Sequence, residues 1–214
     1  MRFSTREAAG EQLAEALKGR VGPEAVVVGL PRGGLPVAAS VARHLGASLD
    51  LRVVRKIGLP WQPELALGAV AATGETTWNE TLEGTVAPAS REALRQQAWR
   101  EARDREAFLR GLLPALSLAG QAVVVVDDGV ATGMTVLAAL MAIRRERPAH
   151  LTVAAPVMAP GVAEVLLGQA NEVVALAVPE TFTAVGAHYD AFPQLTEADV
   201  RAVLAPWRQA RQAG

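Results

Sequence analysis

Short apolar runs alternate with helical segments along the second half of the chain. Ala122 to Val126 is fully apolar, and Leu151 to Val157 and Val173 to Val178 are largely so. Thr132 to Arg147 and Val162 to Leu167 have helical spacing between them. Strands without polar alternation are buried on both faces, which requires helices above and below the sheet. The sequence therefore predicts an α/β fold with a parallel sheet flanked by helices.

The first half continues this pattern with less regularity. Glu24 to Leu30 predicts a strand that leads into a helix ending at Gly46, and Leu49 to Arg55 predicts a second strand. Leu65 to Pro88 is irregular and is a candidate hairpin. Ala89 to Leu113 predicts a long helix in which arginines alternate with acidic residues. A salt-bridged exposed face is the favoured interpretation of that helix, with dimerisation or RNA contact as the alternative.

Composition limits the classes of function. The chain of 214 residues is long enough for one domain, which we predict to cover residues 1–214. The net charge of −1 argues against a general polyanion binder, because that function needs a surplus of Lys and Arg. The absence of cysteine excludes thiol catalysis, and the three histidines share no metal-ligand spacing. Without a membrane-length apolar run or a signal-peptide pattern, we expect a cytoplasmic protein.

The segment from Val123 to Thr135 carries the clearest chemical signal. It reads Val-Val-Val-Val-Asp-Asp-Gly-Val-Ala-Thr-Gly-Met-Thr. Asp127 and Asp128 stand at the carboxyl end of the apolar strand, where open α/β sheets place their ligands. The turn that follows opens a helix, and backbone N–H groups at a helix N-terminus favour a phosphate. Since carboxylates accept hydrogen bonds from sugar hydroxyls, the segment predicts a ribose 5-phosphate site.

Other phosphate-binding motifs do not fit this segment. A Walker loop needs Gly-Lys-Ser/Thr, and Gly133 is followed by Met134. A dinucleotide fingerprint needs a different glycine spacing after the strand. The alternative that stays open is structural: two solvated aspartates at a strand end, followed by a capped helix.

The same segment resembles the signature for 5-phosphoribosyl 1-pyrophosphate (PRPP) in type I phosphoribosyltransferases. Two hydrophobic positions, two acidic residues, a spacer and Ala-Thr-Gly-x-Thr carry the resemblance. It implies the type I fold, a parallel sheet flanked by helices with a small hood subdomain. It also implies that Asp127 and Asp128 are catalytic and hold the ribose hydroxyls, partly through Mg²⁺. The implied 5-phosphate ligands are Ala131, Thr132, Gly133, Met134 and Thr135.

Two basic segments extend the resemblance. Pro31-Arg32-Gly33-Gly34 follows the first strand, and Arg55-Lys56 lies at the predicted end of the second. In the family, loops in these places bind the pyrophosphate, and Arg is suited to gripping phosphate oxygens in pairs. The alternatives are an ordinary turn for the first and a strand ending in solvated charges for the second. The resemblance implies pyrophosphate binding by Arg32, Gly33, Gly34, Arg55 and Lys56, with Arg32 and Lys56 also catalytic.

The region 180–195, together with N-terminal residues, is similar to the hood of hypoxanthine-guanine enzymes. There an aromatic residue stacks on the base and an acidic residue holds its edge. The resemblance implies Phe182, His188 and Asp190 as base-binding candidates, although Phe182 lies one position off the family spacing. Packing within the hood core is the alternative for the aromatic residues of this region.

The resemblance implies transfer of a 5-phosphoribosyl group from PRPP to a nitrogenous base, with Mg²⁺ as cofactor and release of pyrophosphate. The family commonly forms homodimers, and PRPP and a base are the expected small-molecule partners, with no membrane or nucleic acid. Ala131 departs from the oxopurine enzymes, which carry an Asp there as general acid/base. That departure argues against hypoxanthine or guanine. It also leaves an alternative function, a non-catalytic PRPP- or nucleotide-binding regulator that also contacts RNA.

Overall fold

The computed structural model describes residues 1–111 and 114–212 of the chain. Its helices and strands follow one another in the order α1 (Arg6–Leu17), β1 (Val26–Gly29), α2 (Gly34–Leu45), β2 (Ser48–Leu51), β3 (Val54–Leu59), β4 (Gln62–Ala71), β5 (Thr76–Trp78), α3 (Pro88–Arg110), β6 (Ala122–Val126), α4 (Met134–Arg145), β7 (His150–Val157), α5 (Val162–Leu167), β8 (Glu172–Ala177) and α6 (Glu197–Gln212). Short 3-10 turns lie at Glu83–Thr85 and Val185–His188. No helix of the described residues is both long enough and apolar enough to cross a membrane.

Five strands form the central sheet in the order β2-β1-β6-β7-β8, and every neighbouring pair is parallel. The valines of β6 divide between two cores. Val123 and Val125 pack with α4 on one face, while Val124 and Val126 pack with α1 and α2 on the other. This two-sided burial explains why the strand has no polar alternation. The predicted α/β fold with a helix-flanked parallel sheet is confirmed.

A second sheet of three antiparallel strands, β3-β4-β5, stands beside the first. Its own core joins Ile57 and Leu67 to Ala98 of α3. Both connections within this sheet are hairpins, so the candidate hairpin in the irregular region is present. It is larger than expected, since it begins at β3.

The prediction of one strand from Leu49 to Arg55 is wrong. The main-sheet strand ends at Leu51, and the chain re-enters a strand at Val54 in the other sheet. At the break, the Val53 N–H donates to the Glu106 carboxylate at 2.8 Å instead of to a neighbouring strand. The sequence pattern contains no sign of this side-chain acceptor, which α3 supplies.

The α3 helix has the predicted salt-bridged face. It begins at Pro88 and reaches Arg110, and the predicted end at Leu113 lies outside the described residues. Most of its arginines have an acidic partner within 4 Å, namely Arg91 with Glu83, Arg95 with Glu92, Arg103 with Asp104, Arg105 with Glu197 and Arg110 with Asp50 and Glu106. These intrachain pairs support the interpretation as an internally neutralised face over that of an RNA-contacting one.

A buried ion cluster ties α3 to the central sheet at Asp50, which is 1% exposed. Its carboxylate accepts hydrogen bonds from Arg110 at 2.6 Å and Arg52 at 2.9 Å. It also accepts one from the Leu116 N–H at 2.9 Å. Burial opposes ionisation of Asp50, but the two guanidinium groups hold its pKa below the usual value. The cluster therefore adds charged contacts to the apolar packing of Leu109 and Leu118 that holds the segment between β2 and β6.

We expect Asp50→Ala to destabilise the fold by about 3–5 kcal/mol, because it removes the buried carboxylate that Arg52 and Arg110 share and leaves them only the more exposed Glu146 and Glu106. Chemical denaturation measures the loss. Asp104→Ala removes an exposed partner of Arg103 and should change the free energy of unfolding by less than about 0.5 kcal/mol. Equal losses in the two variants would contradict the role of the cluster.

Wild type and Asp50→Ala together also test how the free energy of unfolding depends on pH. Because the folded-state pKa of Asp50 is depressed, its contribution is complete above the unfolded pKa of about 3.9. It is lost as the pH falls through the folded-state pKa. The stability difference between wild type and Asp50→Ala should therefore be constant near neutrality and shrink below about pH 4.

Candidate functional site

The strand order brings together the two loops to which the sequence analysis assigned ligand binding. From β1 the chain crosses to β2 on one side, while β6 lies on the other, so the connections diverge at β1 and β6. Ligands of open α/β sheets bind at such a point, beyond the carboxyl ends of the strands. The Leu30 N–H donates to the Val126 carbonyl at 3.0 Å, which continues the pairing into the loops. The loop after β1 and the loop after β6 therefore leave the sheet in contact.

Two glycines make that contact possible. A Cβ on Gly34 would lie 2.7 Å from the Val126 oxygen and 2.8 Å from Asp127 Cα. A Cβ on Gly33 would lie 1.8 Å from Asp128 Oδ2. The peptide bond before them, Pro31–Arg32, is cis. The structure thus brings Gly33 and Gly34, which follow Arg32 in the same loop, against the acidic pair.

The acidic pair is held by three hydrogen bonds. The Asp128 N–H donates to Asp127 Oδ1 at 2.9 Å, which turns the first side chain back over the loop. The Nε of Arg6 donates to Asp128 Oδ2 at 2.8 Å. The Tyr189 hydroxyl donates to the Asp128 carbonyl at 2.6 Å. These bonds make the loop after β6 the meeting point of the N-terminal helix and the C-terminal segment.

Burial dominates the electrostatics of the loop. Burial first, and then the negative charge of Asp128, raises the pKa of Asp127 well above its usual value. Burial also raises the pKa of Asp128, although the Arg6 guanidinium works in the opposite direction. The pKa of the Tyr189 phenol is raised as well, mainly by burial, so this hydroxyl remains a hydrogen-bond donor. A cation beside the two carboxylates would favour their ionised forms.

Arg6 was not found by sequence analysis. It is the first residue of α1, directly after the N-cap Thr5, and its side chain is only 8% exposed. Its Nη1 donates to the Pro193 carbonyl at 2.9 Å, and its guanidinium lies 3.8 Å from the centroid of the Phe192 ring. Its carboxylate partner is 122 positions away in the chain. No local pattern could therefore have signalled its role.

A cavity of about 430 Å³ opens over this arrangement. Three sequence-predicted residues line it, namely Arg32, Gly33 and Asp128. The remaining described lining residues are ones that the sequence did not assign to the site: Arg6, Phe192, Pro193, Gln194 and Leu195. The predicted acidic and pyrophosphate-loop residues therefore face one shared space.

The turn predicted to bind the 5-phosphate leads into α4. Gly133 has a φ of +75° and precedes the first helical residue, without a side-chain cap on the helix N-terminus. A side chain at that φ would be strained, so glycine suits the position. Ala131 and Thr132 are exposed, while Met134 and Thr135 are half-buried. The first N–H groups of α4 have no acceptor within the helix and face this turn.

The Arg55-Lys56 pair does not lie where the sequence suggested. Both residues are inside β3 of the antiparallel sheet, rather than at the end of the second main-sheet strand, because the chain changes sheet after β2. Arg55 forms an ion pair with Glu101 of α3. Lys56 lines a second cavity, of about 590 Å³, together with Thr132 and Met134. Arg32 and Lys56 thus approach the site from different cavities.

The C-terminal segment is joined to the N-terminus of the chain. The Phe3 N–H donates to the His188 carbonyl at 2.9 Å, and the Asp190 N–H donates to the Phe3 carbonyl at 2.8 Å. The Tyr189 ring is 2% exposed and packs against Phe3 and Phe192, with centroids 5.5 and 4.9 Å away. Tyr189 is therefore a packing residue as well as a donor to the site loop.

The three base-binding candidates lie apart from the 430 Å³ cavity. Phe182 and His188 stack on each other, with centroids 5.7 Å apart, and Asp190 pairs with Arg2 at 2.6 Å. None of the three is among the described residues that line the cavity. The adjacent Val185 packs onto the site loop instead, since a Cβ on Gly129 would lie 2.5 Å from its Cγ1.

Comparison with known proteins agrees with this geometry. The model of the phosphoribosyl transferase domain family matches residues 5–173, which include the first loop, the acidic pair and the turn before α4. The chain belongs to the phosphoribosyl transferase domain family. Two Mycobacterium tuberculosis proteins carry the name "Putative phosphoribosyl transferase", MT0597 of strain CDC 1551 / Oshkosh and Rv0571c of strain H37Rv. Each is 42% identical to this chain over 205 residues, which are 94% of this chain and 46% of the relative. This phosphoribosyl transferase domain thus spans about half the length of those relatives.

Solved structures show the same fold. The crystal structure of TT1426 from Thermus thermophilus is similar with a TM-score of 0.83 and 44% identity, covering 97% of this chain and 99% of that one. A purine phosphoribosyltransferase from Pyrococcus horikoshii gives a TM-score of 0.50 at 18% identity, covering 89% and 92%. The second likeness concerns the fold alone. Both agree with the predicted type I phosphoribosyltransferase fold.

The donor set of this phosphoribosyl transferase domain fits Mg²⁺, the cofactor implied by the family. Two adjacent carboxylates, Asp127 and Asp128, stand at the strand end, and Mg²⁺ is commonly bound by one or two carboxylates together with substrate phosphates. No cluster of three or more acidic, His or Cys ligands occurs among the described residues. The two carboxylates are thus the residues among those described that would hold the metal.

The contact between the two loops gives a test of the site's construction. We expect Gly34→Ala to cost about 1–3 kcal/mol, because its Cβ would meet backbone atoms that cannot move aside. Gly84→Ala is the control, since a Cβ there meets nothing within 4 Å, and it should stay within about 0.5 kcal/mol. Thermal or chemical unfolding measures both. A harmless Gly34→Ala would mean that the loops are not in close contact.

Proposed function

We propose that this phosphoribosyl transferase domain binds PRPP where the loops after β1 and β6 meet. It then transfers the 5-phosphoribosyl group to a nitrogenous base and releases pyrophosphate. The observation that carries the proposal is the direct contact of the Arg32 loop with the Asp127–Asp128 loop, next to the N-terminus of α4. A cation, a carboxylate pair and a helix N-terminus match the pyrophosphate, the ribose diol and the 5-phosphate of one PRPP molecule.

The sugar phosphate would lie on the loop after β6. Backbone N–H groups from Ala131 to Thr135 would bind the 5-phosphate, with the Thr132 and Thr135 hydroxyls as further donors. Asp127 and Asp128 would accept hydrogen bonds from the ribose hydroxyls. Positive charge develops on the sugar as the bond from C1 to pyrophosphate breaks, and the two nearby carboxylates stabilise that charge.

The leaving pyrophosphate would lie on the loop after β1. Arg32 offers a planar pair of donors to phosphate oxygens, and Gly33 and Gly34 allow the loop backbone to approach them. Lys56 would add a second cation from the cavity that it lines with Thr132 and Met134. Arg55 would support Lys56 by tying strand β3 to α3 through its ion pair with Glu101. Asp127 and Asp128 would hold Mg²⁺, and the metal would supply neutralisation of part of the pyrophosphate charge.

The base would enter the site from the side on which the C-terminal segment lies. Phe182, His188 and Asp190 remain the candidates for contacting its edge and face, and they require a shift of the hood toward the sugar. Tyr189 and Arg6 fix the near end of that segment against Asp128. Closure of the segment over the sugar would also exclude water from the reacting carbon.

We expect Asp128→Asn to weaken Mg·PRPP binding more than tenfold, about 1.4 kcal/mol or more, because it removes a charge-assisted acceptor for the ribose. Isothermal titration calorimetry measures the affinity, and thermal melting checks that the variant is folded. Asp104→Asn, an exposed carboxylate on α3, is the matched control. Near-wild-type binding by folded Asp128→Asn would refute the assignment of the ribose site.

Turnover separates the enzyme from a regulator that only binds PRPP. With Mg²⁺, PRPP and a panel of bases, we expect release of pyrophosphate that Arg32→Ala reduces at least tenfold. Thermal stabilisation by Mg·PRPP without pyrophosphate release from any base would favour a regulator instead. No stabilisation by Mg·PRPP even at millimolar concentrations would contradict both functions.

A further inference from the structure

The second cavity, of about 590 Å³, lies between the antiparallel sheet and helices α4 and α5. It has the size of a small-molecule pocket. Its described lining residues have no member in common with those of the 430 Å³ cavity over Asp128. Thr132 and Met134 of the turn before α4 belong to its wall. The cavity therefore adjoins the proposed 5-phosphate position, while Asp128 and Arg32 are not among the described residues of its wall.

Strand β5 gives this cavity a polar wall. Thr77 lies in the strand, and Asn79 continues its pairing, since the Asn79 N–H donates to the Leu67 carbonyl at 2.9 Å. Residues two apart in a strand point to the same face of the sheet. Thr77 is paired with Ala69 of β4, which packs in the core that contains α4. The side chains of Thr77 and Asn79 are therefore turned toward α4 across the cavity.

Both polar side chains of this wall keep unused hydrogen-bonding capacity. Thr77 is only 8% exposed, and its hydroxyl makes no hydrogen bond to any of the described residues. Asn79 Oδ1 accepts from the Thr81 N–H at 3.1 Å and from the Thr81 hydroxyl at 2.7 Å, which leaves Nδ2 as a donor. Because buried polar groups are rarely left without a partner, a molecule in the cavity must supply one. That molecule is water, or a ligand that displaces it.

The remaining wall of the cavity is largely apolar. Met134 and Leu137 come from α4, Val165 from α5, and Leu65 from β4. Leu65 is 40% exposed and Val165 is 56% exposed, so large aliphatic side chains meet solvent at a concave surface. A pocket with a hydrogen-bonding wall and an aliphatic wall suits a flat molecule that has one polar edge and apolar faces.

We propose that this cavity binds a neutral nitrogen heterocycle with a lactam edge, such as a pyrimidine base, at a site separate from the proposed acceptor position. Asn79 Nδ2 donates to a ring carbonyl oxygen, and the Thr77 hydroxyl accepts the neighbouring ring N–H. The ring faces contact the aliphatic wall. Lys56 and Glu80 add one charge of each sign to the lining, which favours a neutral ligand over an ion. The site binds the heterocycle without changing it chemically.

The test uses uracil as the probe and 1,3-dimethyluracil as the matched ligand, in which methyl groups block both ring N–H groups. Amide and methyl NMR spectra of the full chain are recorded during each titration, without PRPP. We expect uracil to bind with a Kd below about 1 mM and to shift the signals of Thr77, Asn79, Leu137 and Val165. The dimethyl compound should bind at least about tenfold more weakly, because it has no N–H for the Thr77 hydroxyl to accept.

Two variants remove the hydrogen bonds one at a time. Thr77→Val removes the hydroxyl at nearly constant volume, and Asn79→Asp removes the donor while keeping the oxygen that accepts from Thr81. Each should weaken uracil binding at least about fivefold. Thr76→Val is the matched control, because its cross-strand partner Val70 packs on the other face of the sheet, and it should change the affinity less than about twofold. Thermal melting checks folding; if a cavity variant does not fold, the wild-type shifts and the comparison of the two ligands decide.

The outcomes do not depend on the transfer reaction, because uracil is titrated in the absence of PRPP. Shifts confined to this cavity, weakened by Thr77→Val and retained in Thr76→Val, support the site. Shifts centred on Phe182 and His188, or on the loop of Arg32, would place the ring at the proposed acceptor position and overturn it. Absence of binding at about 10 mM uracil, or equal affinity for the two ligands, would leave water as the partner of Thr77 and also overturn it.

Discussion

The parallel pairing of β1 with β6 is the constraint on which the site depends. The two strands are far apart in sequence, and each is followed directly by a loop that we propose binds PRPP. Their register continues through the bond from Leu30 to Val126, so the loops emerge in contact. Only glycine at position 34 permits that approach, since any side chain there would overlap backbone atoms. Backbone hydrogen bonding in the core thus holds the loop that carries Arg32 against the loop that carries Asp127 and Asp128.

Contacts between residues far apart in sequence then fix the elements that surround the site. Arg6 joins the first helix to Asp128, and Tyr189 joins the C-terminal segment to the same residue. Asp50 of strand β2 makes a comparable junction with Arg52 and Arg110. In both places a buried carboxylate is stabilised by guanidinium groups from other elements, because an unpaired buried charge would be strongly unfavourable. The site loop is therefore held by hydrogen bonds to α1 and to the segment that contains Tyr189.

The hydrophobic pattern predicted the second half of the fold well and the first half less well. Strand β6 and helix α5 have the predicted limits, since continuous apolar runs and a 3.6-residue period are local signals. The region from Leu49 to Arg55 failed because one β-branched run serves two sheets. Its break depends on the Glu106 carboxylate, a partner about 50 residues away. Arg55 and Lys56 were displaced from the expected position for the same reason.

The sequence by itself determined the class of sheet through short-range periodicity. It also carried the resemblance to the family, because the residues from Val123 to Thr135 that form the signature are adjacent in the chain. Tertiary structure decided which other side chains join that segment. It added Arg6 and placed Phe192 at the cavity wall, and it left the predicted base-binding residues outside that wall. The physical reason is that ion pairs and ring contacts form between elements brought together only by folding, and no local pattern encodes their distance.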